Sequence, residues 1–150
     1  MEHEAITLFK RYLRSKGRSA TKPREKIVAA VFASNGHFSA AELWQRLQPE
    51  KVSLATIYRT LELLEEAGLV RKISLGNDLA HFEPLLGRRL HWHLVCTHCQ
   101  QLIEFSDAVI EERLTEAVDH YGFQPRSVQV QVFGLCPQCQ SKSHEVEAQK

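Results

Sequence analysis

Four cysteines, the only four in the chain, fall as two Cys-x-x-Cys pairs, Cys96/Cys99 and Cys136/Cys139. Two turns that each present two thiols, with 36 residues between them, can close a tetrahedral four-sulfur shell around one zinc ion. A pair of disulfides and a thioredoxin-like redox motif are the rival readings. Disulfides suit a secreted chain, and the first 30 residues lack the long apolar run of a signal peptide. A redox motif uses one Cys-x-x-Cys at the start of a helix and leaves the second pair unexplained. The spacing therefore predicts a structural zinc. Four thiolates leave no open coordination position, so such a metal holds a fold and does no chemistry.

At 150 residues the chain is long enough for one sizeable core or two small domains. No apolar stretch approaches the roughly 18 residues that a membrane helix needs, so the expectation is a cytoplasmic protein with no membrane partner. The formal net charge of +1 conceals an uneven distribution. Residues 1–84 hold 13 lysines and arginines against 10 acidic residues, whereas residues 85–150 hold 6 against 8. Eight of the basic residues fall within residues 1–30, Arg18 and Arg24 among them. A basic N-terminal half favours an anionic partner, of which nucleic acid is the commonest, although a merely solvated helix face carries the same charge.

Hydrophobic spacing divides the N-terminal half into four helices. Ala5, Leu8, Phe9, Tyr12 and Leu13 predict an amphipathic helix over residues 2–16, stopped at Gly17. Thr21 and Pro23 open a second, with Ile27, Val28, Val31 and Phe32 on its buried stripe and Asn35-Gly36 at its end. Ser39-Ala-Ala-Glu42 is a capping box that starts a short third helix carrying Leu43, Trp44 and Leu47, closed by Pro49. Ser53 caps a fourth, whose expected buried face is Leu54, Ile57, Leu61 and Leu64, and Gly68 ends it. That helical wheel leaves Leu63 outward without a reason. Two strands, residues 69–74 and 79–83, then meet through Gly76-Asn77-Asp78. Helices followed by one hairpin make a winged helix-turn-helix.

On the fourth helix the outward residues are Ala55, Thr56, Arg59 and Glu62, with Tyr58 beside the apolar stripe. Short side chains near the start of a recognition helix allow close approach to a groove, and longer ones behind them reach bases or phosphates. Thr56 and Tyr58 suit thymine methyls or phosphates, and Arg59 suits phosphate or guanine. A bundle helix with an incidental arginine is the plainer alternative; the capped helix before it and the hairpin after it favour DNA. The second half is different in kind. Residues 85–90 read as a hinge, 93–96 and 102–105 as strands, 107–121 as a helix ended by Gly122, and 127–135 as an alternating strand. The fold class is thus α+β. A winged-helix domain covers residues 1–84, a hinge 85–90, a small α/β domain 91–140, and a disordered tail 141–150.

Pro23-Arg24, His37-Phe-Ser-Ala-Ala-Glu42, Ser53-Leu-Ala-Thr-Ile-Tyr-Arg-Thr-Leu61, Ala67-Gly68 and His91-Trp-His-Leu-Val-Cys-Thr-His-Cys99 together resemble the ferric uptake regulator (Fur) family. The similarity runs from about Thr21 to Cys139. It implies metal-dependent repressors that bind palindromic operator DNA as homodimers. In them an N-terminal winged helix precedes a C-terminal dimerisation domain, with a regulatory metal between the two. It also implies that Tyr58 and Arg59 contact the operator. Thr56, Arg24 and Arg18 complete the expected DNA-binding set.

The histidines are grouped. His91 and His93 stand two apart in an extended segment and project to one side. His81 and Glu83 share that spacing on the second wing strand. Glu104 lies on a strand able to pair with the one holding His93, and His37 precedes a helix cap. Imidazole with carboxylate and no thiolate suits Fe(II), Mn(II) or Zn(II). The resemblance assigns His37, Glu83, His91, His93 and Glu104 to the regulatory site and leaves His81 as an extra ligand or a supporting partner. His3, His98, His120 and His144 read as non-ligating. Some family members hold a further site of histidines and acidic residues. The matching positions here are Leu90, Trp92, Glu111 and Val128, of which only Glu111 ligates, so that site is expected to be absent.

A metal shared by His37 and Glu83 of one half and by His91, His93 and Glu104 of the other would fix the hinge. It would thereby set the spacing of the two recognition helices in a dimer, which an operator with two half-sites reads. Fe(II) is the first choice of regulatory metal, with Mn(II) and Zn(II) as alternatives, and iron-uptake control is the expected function. Peroxide sensors of the family, which carry aspartates where this chain has Glu83 and Glu104, and zinc-uptake regulators are the alternatives within it. A zinc metallohydrolase would use the His-x-His pair with Glu83 or Glu104 as base. No His-Glu-x-x-His motif or nucleophile constellation accompanies that pair. A zinc-ribbon interaction module leaves the basic half unexplained. The expectation is a repressor that is not an enzyme and has no small-molecule substrate.

Overall fold

The computed structural model describes residues 1–34, 36–76 and 79–141. Asn35, Asn77, Asp78 and residues 142–150, where two turns and most of the tail were expected, lie outside them. The chain divides into two compact units, Met1–Ser74 with Leu79–Arg88, and the remainder. Among the described residues no helix is long and apolar enough to cross a membrane.

The first unit is built on helices whose apolar residues recur at the helical period. On α1 (Glu2–Ser15), Ala5, Phe9 and Leu13 come every four residues and all three are fully buried. The helix stops at Gly17, which takes a φ of 67°. Gly17 N–H donates to Arg14 O at 3.0 Å and Arg18 N–H to Leu13 O at 2.8 Å, a left-handed closure that glycine adopts without steric cost. Pro23 sits in the first turn of α2 (Lys22–Ala33), where its missing N–H forfeits no helical bond. Ile27, Val28, Val31 and Phe32 are buried as the spacing predicts, and α2 packs on α1 and α4.

The capping box opens α3 (Ala40–Arg46). Glu42 N–H donates to Ser39 Oγ at 3.2 Å, and Ser39 N–H donates to Glu42 Oε2 at 2.7 Å. That Ser39 N–H is also the main reason the Glu42 carboxyl is held below its ordinary pKa. A single 3-10 turn, Gln48–Glu50, contains Pro49 and leads to α4 (Leu54–Glu66). Ser53 Oγ accepts the Thr56 N–H at 3.2 Å, and the helix ends like α1, with Gly68 left-handed and Leu69 N–H on Leu64 O at 2.9 Å.

Three side chains depart from the helical wheels. Leu63 is buried, because α4 packs on α2 and α3 and also on the first wing strand. Its buried sector is therefore wider than one stripe and takes in Thr60 as well. Leu54 is exposed, since the first turn precedes the packed layer that begins at Ile57, and Trp44 is exposed because Leu43 and Leu47 already fill the buried face of α3.

The wing consists of β2 (Val70–Ser74) antiparallel to β3 (Ala80–Pro84). A strand that the spacing did not predict, β1 (Phe38–Ser39), pairs with the other edge of β3, giving the order β1-β3-β2. Phe38 and Phe82 stand opposite in that register with ring centroids 6.2 Å apart. Two residues are too few to show an alternation.

The second unit holds β4 (Trp92–Cys96), β5 (Leu102–Phe105), α5 (Ala108–His120) and β6 (Gln131–Gly134) in sheet order β5-β4-β6. The β4–β5 pair is antiparallel and the β4–β6 pair is parallel, so α5 serves as the crossover that parallel pairing demands. Asp107 caps it, its Oδ1 accepting from Val109 and Ile110 N–H at 2.8 and 3.1 Å. The strand expected over 127–135 shortens to four residues. The register His93↔Gln131 puts residues 127–129 alongside the chain before β4 begins. Unlike the other four α-helices, α5 buries no residue fully. Val109, Tyr121 and Phe123 are exposed, as are Leu94, Ile103 and Val132, which stand in register across the three strands.

The Ser39→Ala variant loses one of the two reciprocal cap bonds of α3. Urea unfolding is expected to show about 1 kcal/mol less stability than the wild type, and an unchanged midpoint would mean that the cap contributes nothing.

Candidate metal centres

Cys96 ends β4 and Cys99 follows it in a tight turn, where Gln100 N–H donates to Cys96 O at 2.9 Å and Gln100 has a φ of 63°. Cys136 and Cys139 form the matching turn after β6, with Cys139 N–H on Cys136 O at 3.0 Å. Each turn points both of its sulfurs the same way, and all four fall within 4.8 Å of one another. None is in a disulfide. Cys99 and Cys136 Sγ are 3.7 Å apart. A disulfide needs about 2.05 Å. Ligands about 2.3 Å from a tetrahedral zinc lie about 3.8 Å from each other, so the spacing fits the ion.

The electrostatics fit it too. Backbone N–H groups of Cys99 and Cys136, the latter 3.3 Å from Cys96 Sγ, bring the Cys96 thiol down to about 6. Burial and then the neighbouring sulfurs push Cys139 up to about 12. Four adjacent thiols cannot all ionise unless a cation sits among them. Zinc supplies that charge. His98 stands outside this group of donors.

Within the first unit, Glu83 on β3 is fully buried, and His37 flanks it because β1 pairs with β3. His37 Nε2 is 2.9 Å from Glu83 Oε2. Arg71, opposite Glu83 on β2, bonds Glu83 Oε1 through Nε and Nη2, and Arg88 Nη1 lies 3.4 Å from Oε2. His81 is turned elsewhere. Its Nδ1 is 3.3 Å from Leu79 O, and its charge helps lower the Glu42 pKa.

Within the second unit, His93 is fully buried and His91 nearly so, with ring centroids 4.9 Å apart and edge-to-face. His91 Nδ1 lies 2.8 Å from Arg89 O. A carbonyl only accepts, so Nδ1 is the donor there and Nε2 is the nitrogen placed to take a metal. Glu104 stands opposite His93 in the β4–β5 register. Imidazoles and carboxylates of this kind, without thiolate, fit a regulatory divalent ion.

Leu90, Glu111 and Val128 line one hollow of the second unit together with Leu114, Val118 and Phe123. Trp92 is fully buried, and its indole N–H has no hydrogen-bond partner among the described residues. Glu111 is the one ligating type in the set Leu90, Trp92, Glu111 and Val128.

On α4, Tyr58 and Arg59 are exposed, while Thr56 is half-buried with Oγ1 2.8 Å from Ser53 Oγ. Arg18 is exposed, and Arg24 Nη1 donates to Ser19 O at 3.3 Å. The basic tally overstates the charge on offer to a partner. Lys10 pairs with Glu25 at 2.9 Å, and Lys26 pairs with Glu50. Sequence reasoning missed Arg71 and Arg88 as partners of Glu83. The signal was the hairpin register, which places Arg71 opposite Glu83 and is fixed only once the turn is known.

Comparison with known proteins agrees with this architecture. The family model described as the ferric uptake regulator family matches residues 15–133. The ferric uptake regulation protein of Campylobacter jejuni is 32% identical over 143 residues, covering 93% of this chain and 90% of that one. The solved ferric uptake regulator of Helicobacter pylori, described as having three functional metal binding sites, aligns with a TM-score of 0.74 at 26% identity, over 93% of this chain and 94% of its own. That of Pseudomonas aeruginosa, solved with manganese, aligns with a TM-score of 0.71 at 34% identity, over 83% and 95%. The chain belongs to the ferric uptake regulator family, which comprises dimeric DNA-binding transcription regulators.

Proposed function

We propose that this chain is an iron-responsive repressor of the cytoplasm, that it is not an enzyme, and that one Fe(II) held by His37, Glu83, His91, His93 and Glu104 switches it on. The observation that carries the reading is the full burial of Glu83 beside His37 and of His93 beside His91. Two buried imidazoles and a buried carboxylate, with no thiolate in the group, are a donor set that a divalent ion fits. Fe(II) supplies a charge and a preferred coordination geometry. The chain's own residues decide what that does.

His37 and Glu83 belong to the winged-helix half and His91, His93 and Glu104 to the dimerisation half. A shared ion makes one arrangement of the halves more favourable than others. A differential of a few kcal/mol shifts the binding-competent population on the order of 100-fold or more. In a dimer this sets the separation of the two α4 helices, and a palindromic operator reads that separation. Thr56, Tyr58 and Arg59 face the groove, with Arg18 and Arg24 on phosphates. Cys96, Cys99, Cys136 and Cys139 hold zinc permanently, since a closed thiolate shell offers no exchangeable position.

His91→Ala is expected to leave operator affinity independent of added Fe(II) or Mn(II), whereas wild-type affinity rises with metal. The check is an anaerobic titration on a palindromic duplex selected with metal-loaded protein. Wild-type behaviour of the variant would remove His91 from the site. Activation by Zn(II) alone would move the protein to zinc control, and irreversible loss of binding on peroxide treatment would mark a peroxide sensor.

Cys136→Ser is expected to release zinc, seen by native mass spectrometry, and to lower the melting temperature of the second unit. Full zinc retention would count against the four-sulfur shell. Arg59→Ala is expected either to reduce the slope of log affinity against log salt by about one, if the residue neutralises a phosphate, or to relax base preference at one position. An unchanged slope with unchanged preference would place Arg59 outside the interface.

A further inference from the structure

Glu83 is more heavily partnered than a metal ligand needs to be. Its side chain is fully buried, and both oxygens are already engaged by groups of the same unit. The β2–β3 register sets Arg71 directly opposite, and that arginine is itself nearly buried. Arg71 Nε and Nη2 converge on Oε1. Oε2 faces His37 Nε2 at 2.9 Å and, more loosely, Arg88 Nη1 at 3.4 Å. The two oxygens are therefore not equivalent. Oε1 takes two N–H groups of a nearly buried guanidinium, while Oε2 is shared with an imidazole and with an arginine that is partly exposed.

We infer that Arg71 is a resident counter-cation on the Glu83 carboxylate that sets the metal concentration at which the repressor responds. The inference rests on the reading of Glu83 as a metal ligand and adds a residue that ligates nothing.

Its physical basis has two parts. Without metal, the arginine keeps a buried carboxylate compensated, so the wing strands stay paired and the site is preformed. With metal, a fixed positive charge paired with a ligating carboxylate would repel the incoming dication and withdraw electron density from the donor. Both effects weaken binding. Unit charges a few ångströms apart interact by several kcal/mol at an effective dielectric near 20, so even a well-relaxed site should register the charge. Arg88, longer in its contact and partly exposed, exerts the same effect more weakly because solvent screens it.

The test is Mn(II) affinity of the full zinc-loaded dimer, measured anaerobically by competition with a fluorescent chelator. Arg71→Met is expected to tighten Mn(II) binding by about tenfold or more, and Arg71→Lys, which keeps the charge, to stay within a few-fold of wild type. Arg88→Gln is expected to tighten binding by a smaller factor, and it guards against an Arg71→Met protein that does not fold. Equal or weaker affinity in both Arg71→Met and Arg88→Gln would overturn the inference, as would an Arg71→Lys protein that behaves like Arg71→Met. Glu83→Ala separates the two levels of the reading. If it leaves Mn(II) affinity unchanged, Glu83 is not a ligand and both readings fall. If it weakens binding while the arginine variants do not tighten it, only the role of Arg71 falls.

Discussion

Four sulfur atoms tie together the ends of two neighbouring strands in the second unit. Cys96, Cys136 and Cys139 pack together as one buried cluster, and Trp92 and Val95 are buried on the strand that ends at Cys96. α5 buries nothing completely, and its sheet leaves Leu94, Ile103 and Val132 open. A fold so poor in buried area is held by a covalent or metal link, by a partner, or by both. Here the zinc shell joins the end of β4 to the end of β6, and the exposed apolar face of the sheet is the kind of surface that a second subunit covers. The first unit needs neither device, because α1, α2 and α4 enclose Phe9, Leu13, Ile27, Leu61 and Leu64.

The two candidate metal centres obey opposite rules. In the cysteine centre, backbone N–H groups draw the Cys96 thiol down while burial, and then the neighbouring sulfurs, push Cys139 up. An ion relieves all four at once, and it has no reason to leave. The carboxylate of Glu83 is compensated before any ion arrives. A site already neutralised by arginine gains less from a metal and therefore releases it more readily. Permanence and responsiveness thus follow from how each donor set is charged in the absence of metal, as much as from the identity of the ligands.

Much of this was legible in the sequence. The capping box at Ser39, the glycine stops at Gly17 and Gly68, and the apolar period of α1 are local signals, and local signals survive without knowledge of the fold. Cysteine spacing was equally informative, because the chemistry of a thiolate shell dictates it. What escaped was tertiary. β1 has only two residues and exists because β3 offers it an edge. Leu63 is buried because α4 has a neighbour on an additional side. Residues 127–129 alternate as a strand should, yet β4 does not extend to meet them. Arg71 became meaningful only in the hairpin register.

One feature of the second sheet bears on how the chain acquires its structure. β4 and β6 run parallel, so the two Cys-x-x-Cys turns emerge at the same end of the sheet, side by side. An antiparallel pairing would have sent them to opposite ends. Parallel neighbours are distant in sequence, and joining them closes a loop that contains β5 and all of α5. Loop closure is paid in entropy before any contact rewards it, and topologies of this kind form slowly. The helices of the first unit, whose partners lie close along the chain, face no such delay. During synthesis the helical first unit can therefore be complete while the sheet that brings the two cysteine turns together is still open.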